Sequence, residues 1–365
     1  MPIPAEVQVK ERRIRAALAG LGFDSLIITR RDNLAWATGG GRAVVCYGEP
    51  VSPVFLVFTP DAKYAVGYSI DLIRTMDEEL AELQYRPVSL PSFGKTPAEA
   101  ALALAAGRVA ADGALAGADD INQAIQALHE PYTPEEMARY RTAARESGEV
   151  LCELAHWVRP GLSERQVIAR AWELFVARGF EGRYMFAGAD ERIRRYRHPV
   201  FTDKPIERAI LIAPCAAKWG LHVPVSRLVY FGEPPEDIRR RFRAVATLQA
   251  AMLATIRPGV RLAALRELYL RLFESLGYPE EQTVHFHGGP VGYGGSYPER
   301  CLDPEAVTTA NMAFAWYFTV AGVKSEELML VDEQGARLES VDATWPRLEI
   351  DYEGQRIAVP DILVR

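Results

Sequence analysis

The feature that most narrows what this chain can fold into is an internal repeat. RPGLSERQVIARAWELFVARGF, starting at Arg159, aligns without a gap to RPGVRLAALRELYLRLFESLGY, starting at Arg257. Arg159, Pro160 and Gly161 match Arg257, Pro258 and Gly259; Leu174 and Phe175 match Leu272 and Phe273; Gly179 matches Gly277, all at one constant offset. Agreement at so many positions in a single register reads as a duplicated unit of helix, RPG turn, helix and strand. Each helix pair is amphipathic and does not bury its apolar face alone. The two copies are therefore expected to close, with pseudo-twofold symmetry, over strands such as AILIAPC and the FAWYFTV region. A site between these halves is the geometric expectation.

The chain has 365 residues, enough for a second domain ahead of the repeat. Helical spacing over residues 11–20, the β-branched run SLIITR and the glycine-punctuated DNLAWATGGG come first. VFLVFTP and KYAVGYS follow as a hairpin, with helices expected over 69–83 and 98–106. That alternation implies a small α/β domain over residues 1–130. Pro131 and Pro134 interrupt the pattern, and Thr133 with Glu136 has capping-box spacing at the start of a new helix, so the second domain is placed at 131–365. The fold class is α/β (α+β).

Composition excludes several function classes. The first residues carry charge where a secretory signal needs an apolar core, and no segment has a membrane-spanning length of apolar residues. A soluble, cytoplasmic protein with no membrane partner is expected. The formal net charge of −6 is spread over mixed-sign segments such as PPEDIRRRFR, which read as solvated helix faces and argue against nucleic acid as a partner. Cys46, Cys152, Cys215 and Cys301 are scattered singly and are expected to be buried thiols. The glycines of HGGPVGYGG fit neither a dinucleotide nor a phosphate-loop motif, and a tight turn is the expectation there.

With the repeat in place, the sequence resembles the creatinase, prolidase and aminopeptidase P family (peptidase family M24). DNLAWATG is similar to its N-terminal domain, RHPVFTDKPIE to the segment bearing its first active-site histidine, and GVKSEELMLVDEQG to its terminal glutamate hairpin. The resemblance covers nearly the whole chain. It implies a C-terminal pita-bread domain with pseudo-twofold duplication, preceded by a smaller creatinase-type α/β domain. It also implies a homodimer in which Arg42, in GGGRAV, is either a contact to the neighbouring cleft or an exposed loop residue.

Metallopeptidases of this family hold paired divalent ions through two aspartates, one histidine and two glutamates, since hard donors bridging two cations activate a water. Carried over by resemblance, the aspartate positions fall on Ala213 and Pro224. The histidine position falls on Gly289, or with a small gap on His287. The glutamate positions fall near Tyr317 and on Glu326. One clear ligand of the five remains. This pattern resembles creatinase, the metal-free branch, which breaks a carbon–nitrogen bond with a histidine as proton carrier and carboxylates holding a cationic group.

Each candidate residue has a plain reading and a functional one. His198 is a surface turn histidine by spacing alone, and the general acid/base by resemblance; its ordinary pKa suits both halves of proton transfer. Glu326 shares a strand face with Lys324, so it forms a simple ion pair or, in a cleft, orients substrate or water. Arg227 ties strands together or binds substrate. His222, His287, Tyr293, Tyr317 and Lys324 are the further substrate-binding candidates. Trp316, Tyr317 and Phe318 line the cleft or form an aromatic core stripe. His129 and His156 read as structural.

The leading expectation is a metal-independent hydrolase of a C–N bond in a small amino-acid-like substrate, without cofactor, using His198 and Glu326. One alternative is a metal-dependent Xaa-Pro dipeptidase or aminopeptidase, taking a dipeptide-like substrate. It would use a recoded site of His222, His285, His287 and Glu326 around a single divalent transition metal. Another is a non-catalytic pita-bread binding protein.

Overall fold

The structure, a computed structural model, describes residues 3–365. They form two compact units. One runs to Glu136 and takes in Trp219–Leu221; the other comprises Met137–Lys218 and His222–Arg365.

In the first unit, α1 (Ala5–Leu21) carries the helix expected over 11–20 back to Ala5, because Val7 and Lys10 continue the buried stripe of Ile14 and Leu18. Lys10 is fully buried there, ion-paired with Glu6 and, at 2.8 Å, with Glu136, and it lies over the Trp36 ring. A mixed sheet follows, built from β1 (Ser25–Arg30), β2 (Val51–Phe58), β3 (Lys63–Tyr68), β4 (Arg86–Leu90), β5 (Val109–Ala111) and β6 (Asp119–Asp120) in the order β4-β3-β2-β1-β5-β6. The expected hairpin is β2 and β3, antiparallel with Val54 opposite Gly67. DNLAWATG supplies α2 (Arg31–Ala37), buried along its whole length. The other helices are α3 (Ser69–Glu78), α4 (Pro97–Leu104) and α5 (Asn122–Ala127). Cys46 departs from expectation: it lies in the turn-rich segment between α2 and β2 and is exposed, whereas Cys152, Cys215 and Cys301 are buried. Arg42, in the same segment, is exposed, its backbone N–H donating to Glu79 at 2.8 Å.

The second unit is the duplicated one. Its first half holds α6 (Pro134–Trp157), α7 (Glu164–Ala177), β7 (Glu181–Ala189), α8 (Glu191–Arg195), β8 (Ala209–Lys218), β9 (Leu221–Pro224) and β10 (Arg227–Tyr230). Thr133 and Glu136 make the expected reciprocal cap ahead of α6, at 2.8 and 3.2 Å. The second half holds α9 (Glu236–Thr255), α10 (Leu262–Ser275), β11 (Gly288–Gly292), β12 (Gly295–Ser296), β13 (Ala313–Val320), β14 (Val323–Val331) and β15 (Ala336–Leu338). A terminal hairpin, β16 (Arg347–Tyr352) with β17 (Gln355–Pro360), leads to β18 (Leu363–Val364), which pairs parallel with β10.

The repeat is visible down to single hydrogen bonds. Gly161 and Gly259 take φ of 88° and 91°, and Gly179 and Gly277 take 77° and 83°, left-handed conformations that glycine adopts without a Cβ penalty. Gly161 N–H donates to Ile206 O and Gly259 N–H to Thr308 O, while Ile206 and Thr308 each donate back, to Leu162 O and Val260 O. Short antiparallel bridges, Ser163 with Pro205 and Arg261 with Val307, close both copies.

The two halves contribute two sheets, β18-β10-β8-β7 with β9 on β8, and β12-β11-β13-β14-β15. Phe314, Trp316 and Phe318 stack along one face of β13 at 6.0 and 5.9 Å and enter the core with Phe242, Leu248, Met252 and Phe273 of α9 and α10. Fully buried Gln249 of α9 donates to Trp316 O and Ser325 O, fixing the helix on the β13–β14 ladder. Trp316 and Phe318 are thus core residues, and Tyr317, on the opposite face by strand alternation, is not.

An ion pair joins the sheets. Arg227 of β10 binds Glu327 of β14 at 2.5 Å and donates to Ser340 O, with Trp345 beneath its guanidinium at 5.1 Å; Ser340 Oγ in turn donates to Glu327 at 2.9 Å. Both charges are almost completely buried, so removing one strands the other in a low-dielectric core. Arg227→Met should lower the unfolding free energy by about 3–5 kcal/mol, read from a urea titration; a change near zero would show that the pair does not hold the sheets together.

Candidate active site

Strand alternation along β14 sorts its consecutive charges. Glu327 turns to Arg227, whereas Lys324 and Glu326 share the other face and meet at 3.0 Å, each side chain 3% exposed. The β13–β14 register sets Tyr317 directly opposite Glu326, and the Lys324 ammonium lies 5.8 Å from the Tyr317 ring. These groups line a cavity of about 220 Å³, together with Tyr184 and Phe186 of β7. Phe186 and Tyr184 are cross-strand partners of Ala213 and Cys215 on β8, so that wall is aromatic and apolar.

His198 and His285 stand at the edge of the same cavity, their Nε2 atoms 3.2 Å apart. His198 stacks on Phe186 at 4.6 Å, and His285 meets the Tyr317 ring edge-on at 5.3 Å. Two imidazoles at that distance share one hydrogen, so one ring donates and the other accepts. Burial, reinforced by the Lys324 charge, lowers the pKa of His198 below its ordinary value. The same causes, with His198 itself as a third, push His285 down to about 2. Both rings are neutral at pH 7. Burial raises the Tyr184 and Tyr317 phenols, with the Glu326 carboxylate adding to the shift, so both stay protonated donors.

A sequence profile of Metallopeptidase family M24 matches residues 138–340, which span the duplicated unit from α6 to Ser340. The chain belongs to metallopeptidase family M24. An uncharacterized hydrolase/peptidase of Sinorhizobium fredii is 30% identical over 117 residues, a stretch covering 31% of this M24 chain and only 29% of that protein. The prolidase of Pyrococcus horikoshii superposes with a TM-score of 0.76 at 17% identity, over 92% of this chain and 99% of that one. The Xaa-Pro dipeptidase of Bacillus anthracis gives 0.77 at 14%, over 98% and 100%. The N-terminal domain of the FACT complex subunit SPT16 from chickpea gives 0.68 at 10%, over 92% and 96%. At such identities the likeness concerns the fold, and it makes the duplicated unit a pita-bread domain.

The family name implies divalent metal, and the donor set of this M24 chain does not fit a metal pair. Ala213 and Pro224 offer no donor side chain, and the carboxylate of Glu326 already faces the Lys324 ammonium at 3.0 Å, where a dication would meet a fixed positive charge. Among the described residues no group of three or more His, Cys, Asp or Glu side chains is arranged to hold a metal ion.

Of the candidates read from sequence, the structure brings His198, Glu326, Lys324 and Tyr317 to one cavity. Of the recoded set of His222, His285, His287 and Glu326, only His285 and Glu326 line this cavity. His222 lies beside Cys215, Nδ1 to Sγ 3.7 Å, because β9 pairs with β8 and not with the strand after His287. His287 turns its Nε2 to Glu281 O at 3.0 Å and packs among Tyr269, Phe273 and Phe318. Arg227 does not line the cavity, its guanidinium being held by Glu327 and Ser340, and Tyr293 is fully buried elsewhere. Gly288 explains how His285 and His287 are carried: with φ of 107°, a Cβ there would meet Ala315 O at 2.1 Å, so only glycine lets the segment run this close to β13. Sequence reading missed His285 as the partner of His198, and missed Tyr184 and Phe186. The alternating YMF of β7 was the available signal, without anything to say which face it offered.

An NMR titration of His198 should give a midpoint below the ordinary histidine value, since burial and Lys324 both disfavour the imidazolium. Lys324→Met should move that midpoint upward; no movement would remove Lys324 as a cause.

Proposed function

We propose that this chain hydrolyses a C–N bond in a small amino-acid-like substrate, with His198 as the proton carrier and without metal ions. The observation that carries the reading is a neutral histidine pair at the edge of a small cavity whose wall holds one buried carboxylate and one buried ammonium. The cavity holds roughly seven waters' volume, suited to an amino-acid-sized group. Lys324 has N–H donors beyond the one given to Glu326 and takes a substrate carboxylate. Glu326, with one oxygen on Lys324, orients a water or a cationic group with the other.

His198 in its neutral form accepts a proton from water as the oxygen attacks the carbon of the C–N bond. It returns that proton to the departing nitrogen, giving an acid and an amine. His285 is a positioning residue. Its strongly depressed basicity keeps it neutral, so the proton taken from water stays on His198, whose ring it holds through the Nε2–Nε2 hydrogen bond. Tyr317 and Tyr184 remain donors for the developing negative charge.

A second reading, a metal-dependent Xaa-Pro dipeptidase, is favoured by the superposition on the prolidase and Xaa-Pro dipeptidase structures. Elemental analysis of protein purified without chelator separates the two, stoichiometric transition metal supporting the second. We propose a homodimer in addition, to be tested by sedimentation.

The experiment is amine release from a panel of N-acyl amino acids, dipeptides and guanidino acids. His198→Ala should cut kcat by roughly 10²–10⁴-fold with unchanged thermal unfolding; full activity in that variant ends the assignment. The acid limb of the kcat/KM profile should lie below the ordinary histidine pKa, because the neutral form is the working one and its pKa is lowered.

A further inference from the structure

The inner cavity opens beside a larger one. An outer chamber of about 900 Å³ shares His198, His285, Phe286 and Ser296 with it, so the histidine pair stands where the two meet. The chambers differ in chemistry. The inner one carries the Lys324–Glu326 pair and two phenols; the outer one is walled by Tyr269 and Leu270 of α10 and by Val284, Phe286, Pro298 and Leu302.

Three of those apolar side chains face outward around one opening: Phe286 is 76% exposed, Leu302 64% and Val284 53%. Large apolar residues left exposed together around a concavity mark a place where something apolar sits. The charged and amide groups beside the apolar wall are largely engaged. Arg197 makes two bonds to Glu281, at 2.6 and 2.7 Å, Gln282 donates to Leu270 O at 2.9 Å, and His287 is held by Glu281 O. Arg266 and Glu299 add one charge of each sign. The chamber therefore offers an incoming group dispersion and water release, with no net charge to recognise.

We propose that the outer chamber is a binding site for an uncharged apolar group, an acyl chain or aryl ring, carried by the substrate on the far side of its scissile C–N bond. The substrate class is then an N-acylated amino acid: its carboxylate lies against Lys324, its amide at the His198–His285 junction, its tail against Leu302, Val284 and Phe286. This rests on the hydrolytic reading of that junction. The occupant is assigned as a substrate group because the chamber is continuous with the inner cavity through the reacting histidines.

The test is isothermal titration of the full chain with N-acetyl-, N-butanoyl-, N-hexanoyl- and N-octanoylglycine, with glycine release followed in parallel. From acetyl to octanoyl the affinity should rise at least roughly thirtyfold, a conservative figure for six more buried methylenes. Leu302→Asp and Val284→Asp, both at exposed positions outside the inner cavity, should abolish that rise. Affinity independent of chain length overturns the proposal, as does a rise that survives in both variants. So does sedimentation showing a wild-type dimer that both variants dissociate, because the apolar rim would then be an interface between copies. Chain-length-dependent binding without glycine release would sink the hydrolytic reading and leave the chamber assignment standing; release from acetylglycine with no gain for longer chains would do the reverse.

Discussion

Most of what distinguishes the second unit hangs on the alternation of β14 through Lys324, Ser325, Glu326 and Glu327. A strand sends neighbouring side chains to opposite faces, so two adjacent glutamates receive different environments and different tasks. Glu327 is buried against Arg227, Ser340 and Trp345, where it ties the β14 sheet to the β10 sheet. Glu326 is buried against Lys324 in the cavity. A one-residue slip in register would exchange these roles, exposing the sheet contact and filling the cavity with the wrong partner. The ladder to β13, continuous from Ala313 opposite Leu330 to Val320 opposite Val323, together with Gln249 pinning both strands, makes that slip expensive.

The same arrangement accounts for the electrostatics of the site. A lone carboxylate in an aromatic-walled cavity needs a cation, and here it is covalently part of the chain, two residues away on the same face. Burial depresses the His198 and His285 imidazoles, and the Lys324 charge adds to the effect on both. A fixed ammonium, neutral imidazoles and protonated phenols form a consistent set. This M24 chain thus carries a buried ammonium–carboxylate pair on the pita-bread scaffold.

How much of this was legible depends on the range of the interaction. The duplication was readable because paired glycines and RPG turns are local backbone requirements, and both copies meet them with nearly equal φ and equivalent hydrogen bonds. The capping box at Thr133 and the hairpin of β2 and β3 were readable for the same reason. The neighbour of His222 is chosen by strand order: β9 lies on β8, which puts its imidazole beside Cys215. Arg227 had two readings until its partner was known.

The sequence by itself determined the duplication and the boundary helix, since these follow from periodicity, caps and turn residues acting over a few positions; the pita-bread fold was what the family resemblance implied. Only the tertiary structure decided that His285 is the neighbour of His198, that Lys324 faces Glu326 inside a cavity while Arg227 takes Glu327 outside it, and that the aromatic stripe of β13 divides into core and cavity residues. The reason is physical. Which groups meet across a sheet or between loops is set by register and strand order summed over the whole core, and no short stretch of the chain encodes that sum.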